Sequence, residues 1–195
     1  MKRGFTIIEV SILFVIFLIV ALLVAPMSLD DTVQAKNTSR WRSVQADFEN
    51  IFYSINSLKE EHSEDFLLEN AFHKFMTTEL KEDSPAYKIT YLNGTFPSST
   101  YRFNNYKKTL GNAVIATKFF AKPQENIKGL LMYDVNGSMG PNMWGKDVFG
   151  LNIYEDKFEP FCKNEPISKQ KQECSKHGSG LCCSNYYLIG GSFDD

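Results

Sequence analysis

An α+β fold is predicted, with helix in the N-terminal part of the chain and an antiparallel sheet in the C-terminal part. Three observations predict it. A long apolar run leads into an amphipathic stretch with no strong breaker after Pro26. After Pro85 the texture changes to short β-branched and aromatic runs separated by turn residues. All four cysteines fall in the last 34 residues. The 195 residues suit one domain, and 16 Phe, 9 Tyr and 2 Trp supply a core, which excludes a disordered chain. A balance of 21 Lys+Arg against 23 Asp+Glu argues against a general nucleic-acid binder.

The first element is an anchor. In 5–29, 20 of 25 residues are hydrophobic and Glu9 is the only charge. The uninterrupted stretch 5–24 reaches roughly 30 Å as a helix, the thickness of a bilayer core. Lys2 and Arg3 precede it, and Asp30 and Asp31 follow. The positive-inside rule therefore puts the N-terminus in the cytoplasm and the remainder outside it. A secretory signal peptide has a shorter apolar stretch with small residues beyond it. Here the small residue, Gly4, comes before the run.

Glu9 is the anomaly in that segment. A carboxylate inside a membrane helix costs about 2.5–3.5 kcal/mol and calls for a partner. The run contains no Lys, Arg or His. An α-amino group becomes available only if the chain is cut before Phe5.

Lys2-Arg3-Gly4 followed by Phe5-Thr6-Ile7-Ile8-Glu9-Val10 resembles the prepilin leader of type IV pilins and type II secretion pseudopilins. The resemblance covers about the first 26 residues, and its motif is specific because it directly adjoins a full apolar run. It implies that prepilin peptidase removes residues 1–4 after Gly4 and methylates the new amine to give N-methylphenylalanine at Phe5. It further implies that Glu9 attracts the amine of a neighbouring subunit during filament assembly. Pro26 falls where many members carry a proline. Independently of the family, Pro26 cannot donate to the carbonyl of Leu22, so a kinked or loosened helix is expected there.

The implied architecture is pilin-like: a long transmembrane stem helix packed on a small antiparallel sheet, with an extra helix and a disulfide-stapled C-terminal loop. The division expected is leader 1–4, membrane and assembly stem 5–29, extracytoplasmic helices 30–83, sheet domain 84–161 and Cys-rich loop 162–195. The implied partners are other pilin or pseudopilin subunits, prepilin peptidase and the inner-membrane assembly platform. The implied location is the inner membrane before assembly, with the C-terminal domain periplasmic or extracellular, and then a pilus or a periplasmic pseudopilus.

Beyond the anchor, Trp41, Val44, Phe48, Ile51, Phe52, Ile55 and Leu58 repeat at spacings that make one helical face, so the stem extends to about Lys59. Ser63 is a candidate N-cap for a second helix, with Leu68, Ala71, Phe72, Phe75, Met76 and Leu80 on one face and an end before Pro85. Strands are expected at 86–92, 100–106, 112–121, 127–134 and 148–154, with Asn93-Gly94 as a hairpin turn and a weaker strand at 186–189.

The segment 134–147 is a shaped loop. Gly137, Gly140 and Gly145 permit positive φ, and Pro141 fixes a further torsion. Asp134, Asn136, Asn142 and Asp147 offer oxygens suited to calcium, but the spacing lacks the EF-hand pattern and its terminal Glu. Turn-stabilising Asx hydrogen bonds are the expected role of these side chains. Similar Asp-x-Asn-Gly-x-x-Gly-Pro-Asn loops are familiar from pilin-like proteins as turns between the last strands. No cofactor is expected.

Topology puts Cys162, Cys174, Cys182 and Cys183 where disulfides persist. A Cys182–Cys183 bond would close a strained small ring. Cys162 and Cys174 are therefore each expected to bond one of the adjacent pair, in either combination. A zinc site with His177 lacks the usual Cys-x-x-Cys spacing.

No catalytic motif occurs, and no enzyme is expected. His62 and His73 would stand about 16 Å apart along a continuous helix, too far for one metal. Residues 84–128 carry seven basic side chains against Glu125 alone, interleaved with Tyr87, Tyr91, Tyr101, Phe103 and Tyr106. That pattern makes Arg102, Lys107 and Lys108 candidate contacts for single-stranded DNA. The competing expectation is that the aromatics face the core while the lysines solubilise the sheet. Residues 30–83 are the counterpart, with 6 basic and 12 acidic side chains.

The function expected is a structural filament subunit, a minor pilin or pseudopilin. A specialised tip subunit that contacts DNA, a surface or a secreted substrate is the alternative, and a membrane-anchored enzyme a remote third.

Overall fold

The computed structural model describes residues 7–61, 81–82, 88–103, 106–108, 112–124 and 126–193. Within these, the side chains of 7–11, 18, 20–30, 55–56, 58–61, 81–82 and 123–124 lie outside the description. The chain divides into two units, Met1–Lys36 and Asn37–Asp195.

Helix α1, Ile7–Glu61, is 55 residues long and passes through Pro26 without a break. A proline inside a helix forfeits one hydrogen bond and crowds one turn, at about 3 kcal/mol, and does not by itself end the helix. In the first unit Ile12, Leu13, Phe14, Val15, Ile16, Phe17 and Ile19 are all more than half exposed. Among the described residues no helix is long and apolar enough to cross a membrane; most side chains of the run 5–24 lie outside that set. The expected second helix, from Ser63 to Leu80, also lies outside the described residues.

In the second unit the predicted helical face is the packed one. Trp41, Phe48 and Phe52 are buried, and Val44 and Ile51 pack against them. Their partners are on a six-stranded antiparallel sheet whose strands follow chain order. These are β1 (Lys81–Glu82), β2 (Tyr106–Lys108), β3 (Val114–Gln124), β4 (Ile127–Asp134), β5 (Val148–Ile153) and β6 (Phe158–Pro160). Tyr133 faces both Ile115 and Phe149 across the ladder, and Leu131 faces Leu151. Period-two alternation sends Ile115, Leu131, Phe149, Leu151 and Ile153 to the helix side. It sends Val114, Ala116, Leu130, Met132 and Val148 to the other side. Strand β3 carries an irregularity between Phe119 and Gln124 and runs past residue 121, the end expected from the sequence, to Gln124.

Several sequence expectations are corrected. The turn at Asn93-Gly94 forms, with the Gly94 N–H donating to the Tyr91 carbonyl, but among the described residues no strand adjoins it on either side. Backbone groups of 88–103 bond elsewhere: Thr90 exchanges bonds with Asn142 and Trp144, while the Leu92 and Asn93 N–H groups donate to the Ser179 and Gly178 carbonyls. Residues Ser99–Tyr101 form a 3-10 turn, not a strand. Strand β6 was not anticipated. The strand expected at 186–189 is instead the end of a short helix, α3 (Cys183–Tyr186), and the turn after it; α2 is Ile167–Glu173.

The helix is fastened by hydrogen bonds as well as by packing. The Trp41 indole N–H donates to the Ser184 carbonyl at 2.8 Å, and the ring stacks on Phe149 at 5.0 Å. Arg42 donates to the Tyr187 carbonyl, Arg40 to that of Val135 and Asn37 to that of Lys146. Truncating a fully buried aromatic costs about 3–5 kcal/mol. Trp41→Ala should therefore lower the denaturant midpoint by that order, while Tyr53→Ala, at 72% exposed on the same helix, should leave it within about 0.5 kcal/mol. Equal effects of the two would contradict this packing.

Within β6, burial opposes ionisation of Glu159, but bonds from Lys157 and Lys163 outweigh it and hold its carboxyl below the ordinary carboxylate value. A depressed folded value adds stability above the unfolded pKa and loses it as pH falls through the folded one. Glu159→Gln should flatten the acid limb of the stability–pH curve in unfolding titrations below the normal carboxylate range.

Candidate functional site

Three regions carry the candidate residues. In the first, Gly4 and Phe5 lie outside the described residues, while Glu9 and Pro26 have described helical backbone and undescribed side chains. What is described there is the apolar surface that follows Glu9. Successive residues of a helix turn by about 100°, so the six exposed residues from Ile12 to Phe17 cover its whole circumference. A helix apolar on every side is adapted to lipid or to a bundle of other helices.

The second region is the loop between β4 and β5. Asp134 and Asp147 are both fully buried. The Asn136 and Gly137 N–H groups donate to Asp134 Oδ1, and the Asn142 and Met143 N–H groups to the two Asp147 oxygens. Burial pushes the Asp147 carboxyl up, opposed by these backbone bonds and by one from the Asn136 side chain. Gly137 and Gly145 use positive φ as expected; Asn142 does so where Gly140 does not. A Cβ at Gly145 would lie 2.5 Å from Cys183 Sγ and 3.0 Å from the Gly180 carbonyl oxygen, which ties the loop to the C-terminal segment. The Oδ1 atoms of Asn136 and Asn142 are buried without a hydrogen-bond partner. Among the described residues no three Asp, Glu, His or Cys side chains gather to hold a metal. The carboxylates are engaged as turn acceptors, in line with the Asx reading.

The disulfides are Cys162–Cys182 and Cys174–Cys183, one of the two combinations left open by the sequence. All four thiols are consumed, so these cysteines form no zinc site with His177, which is exposed. His62 and His73 lie outside the described residues.

The third region is an open pocket of about 350 Å³ against the sheet face opposite α1. Lys88, Phe96, Tyr101, Arg102, Phe103 and Tyr106 line it. Of the candidate DNA contacts, Arg102 lies in this pocket. Lys108 is on the same face of β2 as Tyr106, since they pair with Val114 and Ala116, whereas Lys107 pairs with Ile115 and points to the other face. Tyr101 and Phe103 pack on Trp144, as the core reading of the aromatics expected. Burial raises the Tyr101 and Tyr106 hydroxyl pKa values, so both are neutral at physiological pH. Sequence reasoning passed over Phe96 as a site residue. Its signal is a lone aromatic before a proline, a pairing that holds the backbone extended.

No protein-family profile, curated protein or solved structure matches the chain.

The hydrogen bonding at Asp134 and Asp147 is complete enough to shape the loop without a cation. Millimolar calcium should leave the melting temperature unchanged in a thermal scan. A calcium-dependent rise that is lost in Asp134→Ala would assign the four oxygens to a bound ion instead.

Proposed function

We propose that the chain is a filament subunit of the type IV pilin and type II secretion pseudopilin kind, a minor pilin or pseudopilin. The observation that carries this reading is the helix surface made by residues 12–17 and Ile19, apolar and exposed around the helix. It belongs to the same helix as the Trp41, Phe48 and Phe52 face buried against an antiparallel sheet. Such a surface suits lipid before assembly and the same surface of other copies afterwards. The leader-like Lys2-Arg3-Gly4 and the lone carboxylate of Glu9 supply the chemistry of processing and register.

Prepilin peptidase would cut after Gly4, leaving Phe5 with a methylated amine. That amine and the Glu9 carboxylate are both costly alone in hydrocarbon, so pairing between subunits favours one register. The precursor would sit in the inner membrane with its sheet domain outside. The second reading, a tip subunit that binds a ligand, is favoured by the open pocket around Phe96.

Two measurements test the proposal. Intact-mass analysis of the mature protein should find N-methylphenylalanine at Phe5. Glu9→Ala should be processed normally yet enter filaments at least about tenfold less, because the amine of the neighbour is then left unpaired and a lone charge in the membrane costs about 2.5–3.5 kcal/mol. Normal incorporation of that variant would remove the pairing mechanism, and an uncleaved leader would remove the family reading.

A further inference from the structure

We infer that the pocket around Phe96 binds single-stranded nucleic acid, with a base stacked on Phe96 and its phosphate held between Lys88 and Arg102. The volume, about 350 Å³, falls at the small end of ligand sites and suits one nucleotide unit with its strand leaving through the open side. The two ends of the lining differ in the way such a ligand needs. Tyr101 and Phe103 are backed by Trp144, and Tyr101 also packs on Phe161 at 5.5 Å, so the floor is fixed before anything binds. Phe96 is the opposite case: at 65% exposed it presents its ring to solvent, where a hydrophobic face has no partner to stack on.

Charge selects an anion. Lys88 and Arg102 are exposed, and no carboxylate occurs among the described lining residues. The Arg102 Nε donates to the Pro97 carbonyl at 2.8 Å, which tethers the guanidinium at the residue next to Phe96 and does not use its terminal nitrogens. Lys108 lies outside the pocket's lining but on the same face of β2 as Tyr106, which is part of that lining. Lys118 is not part of the site, because its ammonium donates to the Ser99 and Thr100 carbonyls and fixes the 3-10 turn. An aromatic platform beside tethered cations is the recurring chemistry of single-strand binding, where stacking tolerates any base. An acidic peptide would use the cations and gain little from the exposed ring.

The test uses the full chain in detergent micelles, with fluorescence anisotropy of a labelled oligothymidine and of an abasic deoxyribose-phosphate oligomer of equal length. Oligothymidine should bind more tightly than the abasic strand, and its affinity should fall with salt. Phe96→Ala should weaken oligothymidine roughly tenfold or more and leave the abasic strand unchanged. Lys88→Glu should weaken both, and Lys171→Glu, exposed on α2 and not among the pocket's lining residues, neither. A Phe96→Trp variant gives a readout independent of stability, since stacking should quench the new indole. No binding, equal binding of the two oligomers, an unaffected Phe96→Ala variant, or tighter binding of an acidic peptide would overturn the inference. Glu9→Ala should not alter oligonucleotide affinity, so this site and the assembly mechanism stand or fall separately.

Discussion

The buried indole of Trp41 is the point on which the second unit depends. An indole N–H taken out of water without an acceptor costs a few kcal/mol, so its burial demands a carbonyl at a fixed place. That carbonyl belongs to Ser184. The Ser184 hydroxyl in turn accepts the Gly150 N–H, at a site in the middle of β5. One side chain of the helix thus sets the position of the C-terminal segment, and that segment sets its own distance from the sheet. Both disulfides end on the two residues immediately before Ser184, so the covalent links and the indole bond hold the same short stretch.

A second constraint lies at the other end of β5. Asp134 closes strand β4 and Asp147 stands just before Val148, so two carboxylates cap the two ends of one connection. Each accepts backbone N–H groups that a tight, buried loop would otherwise leave unpaired. The loop then offers its own carbonyls outward, at Val135 to Arg40 and at Lys146 to Asn37. Helix, loop and C-terminal segment are in this way joined through backbone acceptors met by long polar side chains. A packing argument based on apolar residues alone would miss half of the attachment.

The sequence was legible where the period was clean and the partner near. Trp41 to Phe52 repeats at helical spacing and is the buried face; Ile127 to Asp134 and Val148 to Ile153 are largely apolar runs bounded by turn residues and pair with near neighbours in the chain. Residues 88–103 defeated the same reasoning because their backbone donors and acceptors find partners at 142, 144, 178 and 179, which no local pattern announces. Tyr186 and Tyr187 looked like strand for their aromatic content, yet their N–H groups donate to the Cys182 and Cys183 carbonyls and make a helical turn. Strand β6 was too short, with an acid and a proline among its three residues, to register as a strand. The pocket was unreadable for the same reason as its walls. Lys88, Phe96 and Arg102 meet only because the 88–103 segment is pinned at both of its distant attachments, whereas the Asx turns of Asp134 and Asp147 are local and could be read directly.

The edges of the sheet have a consequence for how copies of this chain can join. An open strand edge invites the backbone of another molecule to add to it. Here the outer strand β6 is three buried residues ending in Pro160, which has no N–H to offer. The β6 edge is therefore a poor template for sheet extension, and a copy of this chain seeking a partner there must use side chains rather than a continued ladder.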